Sequence, residues 1–412
     1  VLGGVSIYGG YSVDFRDRDL ELYPVVIERS EPGLPALTCA DVRTPTAIEG
    51  FTIVGGDAVG AGEGSTALFS DRCGPEVTFT ALTIFAGRGS NGANGLDSSA
   101  RLREWGFDSL DDLDGIAGEM GRPGNDATTM CRRAAGGGGG RHVCRAVDIS
   151  GGVGGAADCA ETGCVNGSPC GNAGCTDFTV GGVCDFAAGL RAAVPNPAPQ
   201  AGRGPAPGIA AVLTYNSPTN RGVCNFCDDN PTLPRDSAHG GDGGSGIDGR
   251  GGDGCRGTPL LDLGAGRVSG RSGTEGTSGQ DGSGGGGASA GAGYDVIGGT
   301  TGMCSDRSGG SGGGGGSGGC GAPAATGGGG GGAAVGVTVV LPTRVLRGPV
   351  LTNVRIVTAS GGRGGDGGVG ADGGAGGAGG IGGVGYFWCS RTGGRGGDGG
   401  RGGAGGGGGG GC

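Results

Sequence analysis

Ile48-Glu49-Gly50-Phe51-Thr52-Ile53-Val54-Gly55-Gly56 alternates apolar and polar residues and then runs into small ones, the pattern of short half-buried strands ending in a turn. The design returns at Thr80-Ala81-Leu82-Thr83-Ile84-Phe85-Ala86-Gly87 and at Thr352-Asn353-Val354-Arg355-Ile356-Val357-Thr358-Ala359. The runs Val1 to Tyr8, Val25 to Glu28, Ile48 to Val54 and Val77 to Phe85 read as strands, as do Val335 to Leu341 and Val350 to Val357. Similar short strands with no helices between them predict a parallel β-helix, in which each coil adds a strand to the one before and the inward residues stack into a narrow core. The wide gap between the second and third copies predicts large insertions.

Those insertions differ in kind. Residues 97 to 119 are polar, and Ser98 to Trp105 is their one plausible helical turn, with Ser98 as its cap. Residues 159 to 184 are rich in cysteine and read as disulfide-tied loops. From residue 240 onward glycine dominates with a period of three. Gly361 to Val384 is eight triplets, all Gly-Gly-X except Gly370-Ala371-Asp372, with Arg363, Asp366, Val369, Asp372, Ala375, Ala378, Ile381 and Val384 in third place. Gly393 to Ala404 repeats the pattern with Arg395, Asp398, Arg401 and Ala404. Three residues per turn is the pitch of the polyproline II helix, so one edge carries the side chains and two present bare backbone for close packing. Residues 361 to 412 contain no proline, which argues against a collagen triple helix. Arg and Asp spaced one turn apart are expected to pair along an edge or between tracts.

Composition supports this reading. Glycine supplies 116 of 412 residues and aromatics only 4%, too few large side chains to fill conventional cores. The 16 cysteines are an even number spread through the chain, as expected for an extracellular protein that replaces missing core with disulfides. All are disulfide candidates: Cys39, Cys73, Cys131, Cys144, Cys159, Cys164, Cys170, Cys175, Cys184, Cys224, Cys227, Cys255, Cys304, Cys320, Cys389 and Cys412. Gly/Ser tracts such as Gly309 to Gly319 commonly serve as flexible linkers, but the cysteines embedded among them argue for order. Every one of the 29 basic residues is Arg, which excludes P-loop, Schiff-base and lysine general-base chemistry. A net charge of −10 argues against nucleic acid or anionic lipid as partner. No apolar run reaches the length of a membrane span, and the start lacks signal-peptide features, so the chain reads as mature and processed.

Candidate chemistry is sparse. Cys224-Asn225-Phe226-Cys227 has the spacing of half a zinc site, but disulfide use fits better because no second pair lies nearby and the histidines number two, His142 and His239. Gly243 to Asp248 and Gly367 to Asp372 match the opening of a calcium-binding nonapeptide, although Arg250 and Gly374 stand where a large apolar residue belongs. Asp111-Asp112 and Asp228-Asp229 are carboxylate pairs of the sort a glycosidase or calcium-dependent lyase uses, but adjacent loop acids are usually solvated charge. No catalytic residue and no resident cofactor is therefore expected, with calcium as the one weak candidate.

Val5-Ser6-Ile7-Tyr8-Gly9-Gly10-Tyr11, followed by Phe15, Arg16-Asp17 and Tyr23-Pro24-Val25-Val26-Ile27, resembles the opening of a family of secreted glycine-rich right-handed parallel β-helix proteins found in myxobacteria and related deltaproteobacteria. Ile48 to Ile53 resembles the family's next rung. The resemblance implies a right-handed coil whose strands lead into glycine-rich insertions; it transfers no activity. The triplets separately resemble glycine-rich antifreeze proteins and phage adhesins that form polyglycine II bundles, but Arg and Asp in third place depart from a flat ice-binding face.

The expected fold is thus all-β: a right-handed parallel β-helix, disulfide-braced, with glycine-rich insertions forming polyglycine-II-like bundles. Its expected regions are β-helix coils at 1–95, cysteine-rich loops at 96–238, a glycine-rich region at 239–334, returning strands at 335–360 and the triplet tract at 361–412. The expected function is a secreted structural protein of the bacterial surface, a filament, coat or adhesin subunit that self-associates into a homopolymer through Val1, Val5 and Ile7 at an open strand edge. Cell-surface polysaccharide is a further possible partner, and a polysaccharide-binding or -degrading protein or a monomeric antifreeze-like module is the alternative.

Overall fold

The computed structural model describes residues 1–29, 31–124, 134–157, 198–212, 237–257, 260–262, 266–291, 309–341, 347–385 and 392–412. The chain is all-β: among the described residues the only helices are two short 3-10 segments, Ser98–Trp105 and Leu110–Leu113. The strands are β1 (Ile7–Tyr8), β2 (Val26–Glu28), β3 (Leu37–Ala40), β4 (Thr46–Glu49), β5 (Thr52–Val54), β6 (Ser65–Asp71), β7 (Val77–Thr80), β8 (Thr83–Phe85), β9 (Val143–Cys144), β10 (Val147–Asp148), β11 (Leu260–Asp262), β12 (Arg267–Ser269), β13 (Ala334–Val340), β14 (Val350–Thr352) and β15 (Arg355–Val357).

Three parallel sheets, β1-β4-β7-β14, β2-β5-β8-β15 and β3-β6-β13, are visited in rotation. β1 to β3 make one circuit, β4 to β6 a second, and β7 and β8 open a third. That third circuit closes only at β13, so residues 86–333 form one insertion, after which β14 and β15 begin a fourth. The register aligns like residues in columns. Ile7, Ile48, Phe79 and Leu351 form one, Ile27, Ile53, Ile84 and Ile356 a second, Leu37, Leu68 and Val337 a third. Ile48, Phe79, Ile53, Ile84 and Leu68 are buried. Burying a side chain of this kind contributes about 1.5–3 kcal/mol.

The structure cuts the longer sequence runs. Ile48 to Val54, Val77 to Phe85 and Val350 to Val357 are each two strands in different sheets, separated at Gly50, Ala81 and Asn353. All three take positive φ, +77°, +49° and +53°, a region strained for alanine and tolerable for asparagine and glycine. Gly50 donates to the Thr80 carbonyl and Ala81 to the Thr352 carbonyl, so the corners stack and each imposes its geometry on the next. A second aligned corner holds Asp41 and Arg72 at φ 51° and 58°, paired through their side chains at 2.7 Å. Of Val1 to Tyr8 only Ile7–Tyr8 is strand, and β3 and β6 had no strand reading at all. Cys39, within β3, is bonded to Cys73, two residues past the end of β6.

The described parts of the insertion, together with residues 361–385 and 392–412 beyond β15, form a bundle of glycine tracts joined by their peptide groups. The stretch 309–325 is buried throughout. Its N–H groups go in turn to three neighbours: Ser311, Gly314 and Ser317 donate to Arg122, Glu119 and Ile116; Gly312 and Gly315 to Gly155 and Gly152; Gly313, Gly316 and Gly319 to Gly394, Gly397 and Gly400. Its carbonyls accept from three further tracts, exemplified by Gly380 and Gly377, Gly285 and Gly282, and Gly137 and Gly140. One tract therefore has six neighbours. Residues 281–291 are likewise buried and donate in rotation, as in Gly284 to Arg203, Gly285 to Gly316 and Gly286 to Gly241. Segments 86–97 and 113–124 lie end to end along the 361–385 tract, the two 3-10 segments bulging between them: Gly92 and Gly95 donate to Arg363 and Asp366, and Gly118 and Gly121 to Ala378 and Ile381. Two more disulfides, Cys144–Cys320 and Cys255–Cys412, tie outer elements to this lattice. The other ten cysteines and Asp228-Asp229 lie outside the described residues.

Candidate functional site

Each third-place residue of Gly361 to Val384 is exposed while most of its glycines are buried or half-buried, because a Cβ on the glycines from Gly362 to Gly383 would come within 2.5 Å of a neighbouring tract's backbone. The expected ion pairs form on this edge. Arg363 meets Asp366 at 3.1 Å, Arg395 meets Asp398 at 2.5 Å, and Arg401 crosses to Asp372 at 3.1 Å. Such exposed pairs contribute little to stability, under about 1 kcal/mol each.

A side-chain ladder unforeseen from the sequence does more. The N–H groups of several edge residues go not to backbone but to side chains that reach over from the neighbouring tract. Asn91, Asn94 and Asp97 accept from Arg363, Asp366 and Val369 at 2.8, 3.0 and 2.7 Å. His239, Asp242 and Asp248 accept from Arg395, Asp398 and Ala404 in the same manner. Thr277 and Thr274 accept from Arg250 and Asp253. The signal was the three-residue spacing of Asn91, Asn94 and Asp97, the spacing of the glycines themselves.

Other expected site residues find ordinary work. Asp248 and Asp372 of the calcium-like motifs are held by the Ala404 N–H and by Arg401. Asp112 lies inside the Leu110–Leu113 turn and forms a capping box with Ser109, the cap residue, and the backbone N–H groups of Ser109 and Asp108 hold its carboxyl below the usual range. Ser98 is not a cap: Asp97 occupies that position, and the Ser98 hydroxyl is buried without a partner. The aspartate next to it is the better acceptor, and it is turned to Val369.

Val1 packs against the core and its backbone nitrogen donates to the Thr38 carbonyl at 2.8 Å, so this residue is half-buried rather than a free contact. Val5 and Ile7 are exposed, and β1 is the outermost strand of its sheet. At the other end of the columns Leu351 and Ile356 are 40% and 46% exposed, which leaves apolar surface on β14 and β15.

Two further features stand out. A groove of about 880 Å³ is lined by Gly138 to Gly140, Glu119, Arg141, Asp148, Gln200 and Arg203, among others. Asp148 is pulled down to about 2 by the Ser150 hydroxyl and N–H, aided by Arg203. The second is a cluster in which His142, Cys144 and Cys320 bring their ligand atoms within 4.8 Å of one another. No family model, curated protein or solved structure matches this chain. Among the described residues no helix is long and apolar enough to cross a membrane.

Proposed function

We propose that this is an extracellular structural protein: a short parallel β-helix carrying a polyglycine-II-like bundle as a stiff scaffold, and serving as a self-associating subunit of a surface filament, coat or adhesin. The observation that carries the reading is the buried tract 309–325 with its peptide groups shared among six neighbours. Such a lattice fixes backbone, not a catalytic constellation, and it suits a rod or platform. Disulfides joining residues as distant as Cys144 and Cys320 fit an oxidising, extracellular setting. Exposed apolar residues that continue the core columns, Leu351 and Ile356 among them, support association between copies. Electron microscopy and light scattering of the full, oxidised chain test this: concentration-dependent assemblies are expected, and a strict monomer at micromolar concentration removes the filament reading.

The groove between Glu119 and Arg203 favours one other reading, binding of a polar chain such as a polysaccharide. Retention of soluble polysaccharide by the wild-type protein, lost in Arg203→Ala, would support it.

A further inference from the structure

His142 sits at the edge of the bundle, where the chain turns through β9 and β10 and Cys144 is bonded to Cys320 of the central tract. Its Nδ1 lies 3.2 Å from the Gly318 carbonyl. A carbonyl only accepts, so that nitrogen carries the proton. The lone pair on Nε2 then faces Cys320 Sγ, 3.6 Å away. A disulfide sulfur has no proton to offer, and the imidazole acceptor is aimed at a group that cannot donate to it. Cys144 and Cys320 are buried and His142 is half-buried.

Two sulfurs and a neutral imidazole nitrogen within one 4.8 Å cluster, with the other ring nitrogen donating to a backbone carbonyl, is the donor set and outer-shell arrangement of a zinc-class site with three protein ligands. We propose that Cys144, Cys320 and His142 form a redox-gated metal site, closed while the disulfide is intact and competent for a zinc-class divalent cation once it is opened. A dithiol reductant breaks the sulfur–sulfur bond by exchange, leaves as its own disulfide and passes its two protons to the two cysteine sulfurs. The cation then displaces both protons, takes two thiolates and His142 Nε2, and holds water in the fourth position. The cross-link between the β9–β10 turn and the central tract is thereby kept in either redox state. The same trio is open to metal in the newly made chain, before the disulfide has formed.

The test uses the full chain with its histidines labelled with nitrogen-15, and zinc ion as the probe. The chain holds two histidines, and His239, whose Nδ1 accepts from the Arg395 N–H, serves as internal reference. The reductant is a phosphine, which takes its oxygen from water and is itself oxidised to the phosphine oxide. In reduced protein, about one equivalent of zinc is expected to move the His142 Nε2 resonance and leave His239 in place. In oxidised protein the same zinc is expected to move neither. His142→Ala is expected to weaken zinc binding to the reduced chain by about tenfold or more. A His142 resonance indifferent to excess zinc after reduction overturns the proposal, including the case in which reduction unravels the site. An equal shift in the oxidised chain also overturns it, because the imidazole would then bind metal without the sulfurs.

Discussion

Substitution of Gly373 is the sharpest probe of the glycine lattice. A Cβ at this position would lie 2.5 Å from the Gly402 carbonyl carbon and oxygen and from the Gly403 oxygen, whereas carbon needs roughly 3.5 Å. The 392–412 tract would have to retreat by about 1 Å. It is held there by Gly402 donating to Gly374, Gly405 to Ala371 and Gly399 to Gly377, each at 2.8 Å, and by Gly403 donating to Gln280 on the far side. Weakening two to four such bonds at about 1 kcal/mol each costs about 2–4 kcal/mol. The smaller unfolded-state entropy of alanine returns about 0.5–1 kcal/mol. Gly373→Ala should therefore destabilise the oxidised protein by about 1.5–3 kcal/mol, and Gly373→Val by more. Ala375 is exposed on the side-chain edge two residues on, and Ala375→Val should change stability by under about 0.5 kcal/mol. Denaturant titration followed by circular dichroism reads both. Equal tolerance at the two positions would refute the close-packed lattice, and a Gly373→Ala protein as stable as wild type would do so alone.

Mass measurement after alkylation with and without reduction should find close to all 16 cysteines oxidised, and a largely free-thiol protein would remove the argument for an oxidising compartment. Asn94→Ala leaves the Asp366 N–H to water and should cost about 0.5–1 kcal/mol, with faster hydrogen exchange at Asp366 but not at Gly365, whose N–H goes to Gly329. Asp148, depressed to about 2 from about 3.9 in the unfolded chain, contributes stability that is present above pH 4 and lost as pH falls through 2. Unfolding midpoints of Asp148→Asn against wild type should therefore converge at pH 2 and separate toward neutrality, and parallel curves would sink this assignment.

The sequence determined the kinds of structure present. Alternating runs such as Ile48 to Val54 announced strands, and glycine in phase from Gly361 to Val384 announced a three-residue edge, because both patterns are local consequences of backbone geometry. The ion pairs at Arg363 and Arg395 followed from the same period. Corners were less legible: Ala81 takes positive φ stacked beside Gly50, and Asn353 stacked beside Ala81, a demand that comes from a neighbouring circuit. β6 was missed although Ala67, Leu68 and Phe69 are buried, since Ser65-Thr66-Ala67-Leu68-Phe69-Ser70 is covered on both faces and shows no alternation. The tracts' partners were beyond reach as well. Bare glycine backbone carries no side chain to encode which tract it meets, so the pairing of Gly316 with Gly397 and of Gly315 with Gly152 is set by the disulfides, the turn positions and the closure of the β13 circuit. His142 and Cys144, two residues apart in the chain, met Cys320, 176 residues further on, for the same reason: only the packed lattice brings its central tract to that turn.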